Sequence, residues 1–397
     1  MNIAIISPGP FSVPPVKGSS VEHDIDEVSK VFGPQHQVTI YTRTCPDYPE
    51  STRERHREFV RFDYSGPGPY LRSVIRDLRK RQPDVILVEN RPHYVPALRR
   101  HFPRVPIVVN MHSHVYASPP LISAEQMRRV GRLADGILTN SEYLRSHFIE
   151  KLRLPAAKVH AVHLGVDVTP YQAARKSRAV KKLRRQLGLK SHHRVLVYAG
   201  RLIREKGVHV LLRAFRHVLE RDPKARLVIV GGTGYGSNRE NAYVRRLKEL
   251  AAPLGDAVIF VNFVPSAQMP LYYQIGDVVA TPSVWQEPFC RVNLEAMASG
   301  KPVITTPRGG IAEVVNHLGS GFLIPPEEWS QELPSVWESL WRIPRFRSDM
   351  GRRALMRARQ FSWHTTAQEY LRVFEEVIAK RTGRKQAQSR QPLRSIG

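Results

Sequence analysis

Acidic residues are scarce in this chain: 35 Asp and Glu stand against 61 Lys and Arg, a formal charge of +26 over 397 residues. Such an excess points either to an anionic partner (nucleic acid, anionic lipid or an acidic polymer) or to solvated basic helix faces. Cysteine is scarcer still. Cys45 and Cys290 are the only two, far apart and outside any CxxC spacing, which argues against a disulfide framework or a structural zinc and fits a reducing cytoplasm. No apolar run reaches the roughly 18 residues of a membrane-crossing helix. The opening Met-Asn-Ile-Ala-Ile-Ile-Ser-Pro has no basic segment and reads directly as a strand, so no secretory signal is expected. A dinucleotide-binding GxGxxG is missing too. Gly231-Gly232-Thr233-Gly234 lacks its spacing, and the following Val261-Asn262-Phe263 ends without an acid. The first strand leads into Ser7-Pro8-Gly9-Pro10, and Val38–Thr42 is followed by Arg43. A nicotinamide enzyme is therefore disfavoured.

What is present is a globular pattern with 42% apolar residues, long enough for two domains. Short apolar runs read as strands at Ile3–Ser7, Val38–Thr42, Val85–Glu89, Ile107–Met111, Gly136–Asn140 and Val159–His163. Several are apolar almost throughout, as strands buried on both faces of a parallel sheet should be. Helix-like stretches lie between them, at Val21–Phe32, Tyr70–Arg81 and Ala124–Leu133. The pattern then restarts. Strands at Val195–Ala199, Leu227–Val230, Val258–Val261, Val278–Thr281 and Val303–Thr306 alternate with helices at Val208–Leu219, Tyr243–Ala251, Ala267–Gln274 and Arg291–Ser299. Two successive βα series imply an α/β chain of two doubly wound, Rossmann-like domains. Right-handed crossovers would set their ligand crevices at the C-terminal strand ends, facing each other across a cleft. The boundary is expected at 170/171, within a seam whose stretch Arg175–Arg185 holds seven basic residues and no acid. The second domain would span 171–362, and a C-terminal helix over 363–380 would pack back on the N-terminal domain. Residues 381–397, basic and poor in apolar residues, are expected to be disordered.

Chemistry gathers in the second half. Gly200-Arg201-Leu202-Ile203-Arg204-Glu205-Lys206-Gly207 follows a strand and opens a helix. Gly200 allows close backbone approach, and Arg201 with Lys206 suits a diphosphate, although a solvated strand-to-helix turn has the same pattern. Further on, Trp285-Gln-Glu287-Pro-Phe289-Cys290-Arg291-Val-Asn-Leu-Glu295 runs from a loop into a short helix ended by Gly300. The N–H groups at that helix start are suited to an anion. Glu295, about one turn in, is placed to reach sugar hydroxyls, and Glu287 to project at a group beyond the phosphates.

The run from Glu287 to Glu295 resembles the Glu-x7-Glu signature of retaining glycosyltransferases of family 4, which have the GT-B fold. Gly200-Arg201-Leu202 with Glu205-Lys206-Gly207 is similar to that family's phosphate loop. Further similarities, in family order over most of residues 1–330, are His163-Leu-Gly165-Val-Asp167, Thr139-Asn140-Ser141-Glu142 and Arg308-Gly309-Gly310-Ile-Ala-Glu313. In detail the chain resembles bacterial spore-coat polysaccharide glycosyltransferases.

The resemblance implies roles. Arg201 and Lys206 would hold the diphosphate of a nucleotide-sugar donor, Glu295 its ribose and Glu287 the transferred sugar. The backbone of Phe289, Cys290 and Arg291 would contact sugar and phosphate. Gly18, in Lys17-Gly18-Ser19-Ser20, would approach the donor phosphates, and His112 the donor sugar. Two departures stand out. Cys290 replaces the family's usual glycine, where a positive φ would strain a side chain, and Ser19 replaces a glycine of the usual pair. UDP-sugars are the expected donors, with GDP-sugars as the alternative. The expected acceptor is a hydroxyl of a glycan or a lipid-linked acceptor in cell-surface, spore-coat or lipopolysaccharide-type synthesis.

In the first half, His112 and His114 at a strand end invite a metal reading, but no clustered third ligand is visible. Asp24-Ile25-Asp26 mimics a metal-binding DxD, yet its place at a helix start favours opposition to the helix dipole. No metal and no cofactor beyond the donor substrate is expected. Acceptor specificity is expected in the loops Thr44–Ser51 and His114–Ser123. The enzyme is expected in the cytoplasm, with the basic stretches reaching the anionic inner face of the membrane. No nucleic acid partner is expected, because no aromatic RNA-binding motif accompanies the charge. Two other classes share parts of this pattern: a nucleotide-sugar 2-epimerase of similar fold, and a non-catalytic basic polymer- or RNA-binding protein.

Overall fold

The computed structural model describes every residue except 17, 18, 235, 237 and 390–397, and only the backbone of 344 and 384–389. The chain divides into two compact units, Met1–His163 with Trp363–Gly397, and Leu164–Ser362. The division falls at His163/Leu164, ahead of the expected 170/171. Gly18 lies outside the described residues.

The first unit is built on an eight-stranded sheet. Its strands are β1 (Asn2–Ile6), β2 (Gln37–Arg43), β3 (Ser51–Glu54), β4 (Arg57–Phe62), β5 (Val85–Glu89), β6 (Ile107–Met111), β7 (Gly136–Thr139) and β8 (Val159–Ala161). Their order is β3-β4-β2-β1-β5-β6-β7-β8, parallel except for the β3–β4 pair. Val85 to Val88 and Ile107 to Val109 are all fully buried, because helices cover both faces of a parallel sheet. The order reverses direction at β1, so the C-terminal ends of β1 and β5 open a crevice between their loops.

The apolar pattern misses β3 and β4 for a physical reason. Arg57, Phe59 and Arg61 alternate onto one buried face of β4. Arg57 pairs with buried Asp26 at 2.8 Å, and Arg61 lies 4.8 Å over the Tyr48 ring. An arginine paired with an acid and another held over an aromatic ring thus occupy positions that usually hold Val or Ile.

The Asp24-Ile25-Asp26 reading needs correction. The helix begins at Ser20, and Glu22 is its first-turn acid. Asp24 and Asp26 lie further in and are buried, Asp26 against Arg57 and Asp24 facing His112. They serve side-chain partners, not the helix dipole.

The helix Trp363–Ser389 closes the first unit. Phe374 packs edge-on against Phe32, Trp363 against His23, and Val373 and Val377 cover Gly136. The helix runs past the expected end at 380, to Ser389. Arg381 explains part of this: its guanidinium bonds Asp135 and the carbonyls of Pro103 and Arg104. Residues 390–397 fall outside the described residues.

The second unit carries a six-stranded parallel sheet of β9 (Arg194–Ala199), β10 (Ala225–Val230), β11 (Val258–Val261), β12 (Val278–Thr281), β13 (Val303–Thr305) and β14 (Gly321–Leu323). The order is β11-β10-β9-β12-β13-β14, so this unit switches direction between β9 and β12. The loops after those two strands are the ones that carry the cationic turn and Glu287. No helix among the described residues is long and apolar enough to cross a membrane.

Candidate active site

In the second unit the two motifs meet. After β9 the chain passes Gly200, at φ +146°, and makes a tight turn over Arg204–Lys206 that ends at Gly207 with φ +71°. Gly207 packs so closely that a Cβ there would strike the Pro282 carbonyl oxygen of the loop after β12. The Val284 N–H donates to the Glu205 carbonyl at 2.9 Å and ties the same two loops. On the other flank a Cβ at Gly309 would strike the Glu287 carbonyl oxygen, which also accepts from the Gly310 N–H at 2.9 Å. The glutamate loop is therefore fixed from both sides by backbone contacts that only glycine permits.

Lys206 and Glu287 form an ion pair, Nζ to Oε2 at 2.6 Å. The same oxygen accepts from the Trp285 indole N–H at 2.9 Å and the Ser283 hydroxyl at 3.2 Å. Burial alone would raise the Glu287 carboxyl, but Lys206 and these two donors hold it below its ordinary value. Burial likewise works against the Lys206 ammonium, and Glu287 overcomes it and raises its pKa. Both groups are thus charged at neutral pH. Sequence reasoning assigned Lys206 to a phosphate and Glu287 to a sugar; in this structure each is the other's partner.

The helix Arg291–Ala298 begins at Cys290, which takes φ +64° and ψ +73°. The strain expected of a side chain at a glycine position is present. No side chain caps this helix start, and its first turn presents N–H groups as an anion site does. Burial, with Glu287 nearby, pushes the Cys290 thiol up to about 12, so it stays protonated. The Phe289 ring turns inward against Phe361, which leaves its backbone at the helix start. Arg291 reaches along the helix to within 3.5 Å of Glu295 Oε1. The Tyr273 hydroxyl donates to Glu295 Oε2 at 2.7 Å and orients that carboxylate.

A buried network under this helix was not anticipated. The Thr281 hydroxyl donates to Asn293 Oδ1 at 2.7 Å and lies 2.7 Å from the Thr305 hydroxyl. It ties β12, the helix and β13 together. Its members are single polar residues within apolar segments, which periodicity registers as interruptions.

The first unit has its own buried polar cluster, at the ends of β5 and β6. His112 Nε2 bonds Glu89 Oε2 at 2.8 Å, and Nδ1 faces Asp24 Oδ2 at 3.4 Å. Burial alone would lower the imidazole, yet Asp24 and Glu89 together raise it to about 10. Asn110 donates to Glu89 Oε2 at 3.0 Å and to the Tyr370 hydroxyl oxygen at 2.6 Å, so the C-terminal helix braces this cluster. His114 does not join it; its ring lies 5.3 Å from that of His147. Among the described residues no group of three or more His, Cys, Asp or Glu is arranged to hold a metal ion.

Two successive Rossmann-like units of this kind make up the GT-B architecture of nucleotide-sugar-dependent transferases. Residues 21–169 match the family model described as "Glycosyltransferase Family 4", and 179–355 that described as "Glycosyl transferases group 1". The chain is 30% identical over 380 residues to Spore coat protein SA of Bacillus subtilis, which covers 95% of this chain and 100% of that protein. It is 34% identical over 329 residues to the putative glycosyltransferase YtcC of the same organism, covering 82% and 79%. Among solved structures it is similar to Anabaena HepE in complex with UDP. That match has a TM-score of 0.77 at 24% identity, over 95% of this chain and 100% of that one. The chain belongs to the family 4 glycosyltransferases of GT-B fold, enzymes that transfer a sugar from a nucleotide-sugar donor.

Proposed function

We propose that this enzyme is a retaining glycosyltransferase that moves a hexosyl group from a UDP-sugar to a hydroxyl of a surface-glycan or lipid-linked acceptor. The observation that carries the reading is the Lys206–Glu287 pair at the strand switch of the second unit, between a glycine-locked turn and an uncapped helix start. Lys206, Arg201 and the first helical N–H groups, with the backbone of Gly200 and of Phe289 to Arg291, take the diphosphate. Glu295 takes the ribose and Glu287 the sugar. By the family resemblance His112 is assigned to the donor sugar and Gly18 to the donor phosphates.

Breaking the sugar–phosphate bond sends its electron pair to the diphosphate and leaves positive charge on the anomeric carbon. Fixed cations and N–H groups at the phosphates favour that state over the bound donor. The acceptor hydroxyl then attacks from the face the diphosphate leaves, and its proton passes to a departing phosphate oxygen. UDP as carrier is supported by the likeness to HepE, which is solved with UDP and with UDP-glucose. The surface-glycan setting is supported by the similarity to Spore coat protein SA and to a lipopolysaccharide 1,2-N-acetylglucosaminetransferase of Salmonella typhimurium.

A thermal-shift screen of UDP, GDP and ADP, each with its glucose conjugate, tests the donor. UDP and its conjugate are expected to stabilise by about 2.7 kcal/mol at 100 times the dissociation constant. Stabilisation by GDP or ADP compounds in preference to UDP would replace the assigned base.

A second observation favours a peripheral contact with an anionic membrane. The helix Arg178–Gln186 buries none of its residues. Arg175, Lys176, Arg178, Lys181, Lys182 and Arg185 are exposed and make no ion pair among the described residues. Each cation near an anionic leaflet contributes about 1 kcal/mol. Flotation is expected to recover the enzyme with phosphatidylglycerol vesicles at low salt and not with phosphatidylcholine vesicles. Equal recovery with both, or with neither, would remove the membrane from the reading.

A further inference from the structure

Arg91 is buried in the first unit and is ion-paired with no acid among the described residues. It follows β5 by two residues and is 9% exposed. Nη1 donates to the Asn90 carbonyl at 2.9 Å, and the guanidinium carbon lies 4.4 Å from the centre of the Tyr116 ring. Among the described residues no carboxylate is within ion-pairing distance. The acid that senses its charge is Glu22, and Glu22 is engaged elsewhere. Burial raises its carboxyl to about 7, and it accepts the Ser19 hydroxyl in place of the guanidinium. Glu89 and Asp24, further along, are held by His112.

A guanidinium has five N–H donors in a fixed fork that matches a carboxylate or a phosphate. Burying it without an anion is costly, and structures rarely retain that cost without a use. Its place shows where the anion would come from. Asn90, at φ +52°, turns the chain out of β5. Tyr116 comes from the turn after β6, and Glu22 from the helix after β1. Arg91 therefore stands among the C-terminal ends of β1, β5 and β6, where the strand order of this unit reverses and a parallel sheet binds its ligand. Tyr116 over the guanidinium and Tyr64, packed on the Gly9 turn after β1, add aromatic faces of the kind that line sugar sites.

We infer that Arg91 binds an anionic group on the acceptor, a phosphate or a sugar carboxylate, so that the acceptor is an acidic saccharide or a saccharide phosphate. This rests on the glycosyltransferase reading above and gives its acceptor a chemical class.

The test is calorimetry on the full chain saturated with UDP, which occupies the donor site and removes it as a phosphate site. The probes are glucose, glucose 6-phosphate and glucuronic acid, titrated into wild type, Arg91→Lys and Arg91→Gln. Wild type is expected to bind at least one charged probe about 10–100-fold more tightly than glucose, as a charge-assisted bidentate contact does. Preference for glucose 6-phosphate assigns a phosphate, and preference for glucuronic acid a carboxylate. Arg91→Gln is expected to abolish the preference, and Arg91→Lys to keep part of it. UDP affinity, measured in the same proteins, reports the donor site separately and should not move.

Thermal unfolding without ligand supplies a readout that a structural arginine would move in the opposite direction. Losing an unpaired buried cation leaves Tm unchanged or raises it. The proposal fails if wild type shows no preference for either charged probe, or if Arg91→Gln retains that preference. It fails also if Arg91→Gln lowers Tm and UDP affinity together, which would make Arg91 part of the framework. Loss of UDP binding by wild type itself would instead overturn the donor reading.

Discussion

Lys206→Ala is expected to cut turnover by roughly 10²–10³-fold at saturating donor, the effect of losing one fixed donor at a site of developing negative charge. It also has a signature in stability. Breaking a buried ion pair by removing one partner costs roughly 3–5 kcal/mol, and less here because Lys206 keeps 20% of its side chain exposed. Glu287 retains Trp285 and Ser283 as donors, so the fold should survive. The folded pKa of Glu287 is depressed, so its contribution is present above its unfolded value and lost as pH falls through the folded one. That of Lys206 is raised, so its contribution is present below its unfolded value and lost as pH rises through the folded one. The stability gap between wild type and Lys206→Ala is therefore widest at intermediate pH and narrows at both extremes. Urea unfolding across pH measures the gap, and steady-state rates measure the chemistry. Near-wild-type turnover at saturating donor would remove Lys206 from the mechanism, and a gap independent of pH would remove the ion pair from the stability.

What the sequence could reveal depended on where each partner sits. β5 and β6 were readable from composition because both faces are covered by helices, leaving runs of Val, Ile and Leu up to Glu89 and Asn110. β4 was not, because Arg57 and Arg61 fill its inner face and are made tolerable by Asp26 and Tyr48, far off in the chain. The helical continuation to Ser389 was hidden in the same way. Arg381 reads as one more charge in a basic tail until its acceptors on 103, 104 and 135 are known.

The second-unit site was largely legible, since its chemistry is local: a glycine turn, two cations and a helix start in short segments. The strain at Cys290 followed from the residue type that family 4 usually places there. The contact between Lys206 and Glu287 did not follow, because it depends on β9 and β12 being sheet neighbours despite two intervening strands in the chain. The first-unit cluster was less legible still. His112 stood out beside His114 and through the family resemblance, but Asp24 and Glu89 reach it only because β1, β5 and β6 lie side by side. Arg91 carried no signal, since a single arginine among 61 basic residues is conspicuous only once its burial is known.

The two carboxylates eight positions apart should separate by function, and the structure sharpens how. Glu295 is held by Tyr273 with Arg291 close by, and Glu287 by Lys206, Trp285 and Ser283. Both UDP and the intact UDP-sugar carry the ribose, so Glu295→Gln is expected to weaken both alike. A lost charge-assisted bond of about 1.5–3 kcal/mol corresponds to roughly 10- to 150-fold in affinity. Glu287→Gln should act differently. It removes the anion that holds Lys206, so the ammonium becomes free to turn to the diphosphate, and UDP affinity is expected to stay level or rise. Turnover is expected to fall, because on the proposed assignment the lost charge would lie beside the positive charge that develops on the sugar. Free UDP has no sugar beyond its phosphates and gains nothing from Glu287. Calorimetry of both variants with UDP, beside steady-state rates, decides the matter. If Glu287→Gln weakens UDP as much as Glu295→Gln does, Glu287 serves the nucleotide and not the transferred sugar, and the division between the two glutamates is wrong.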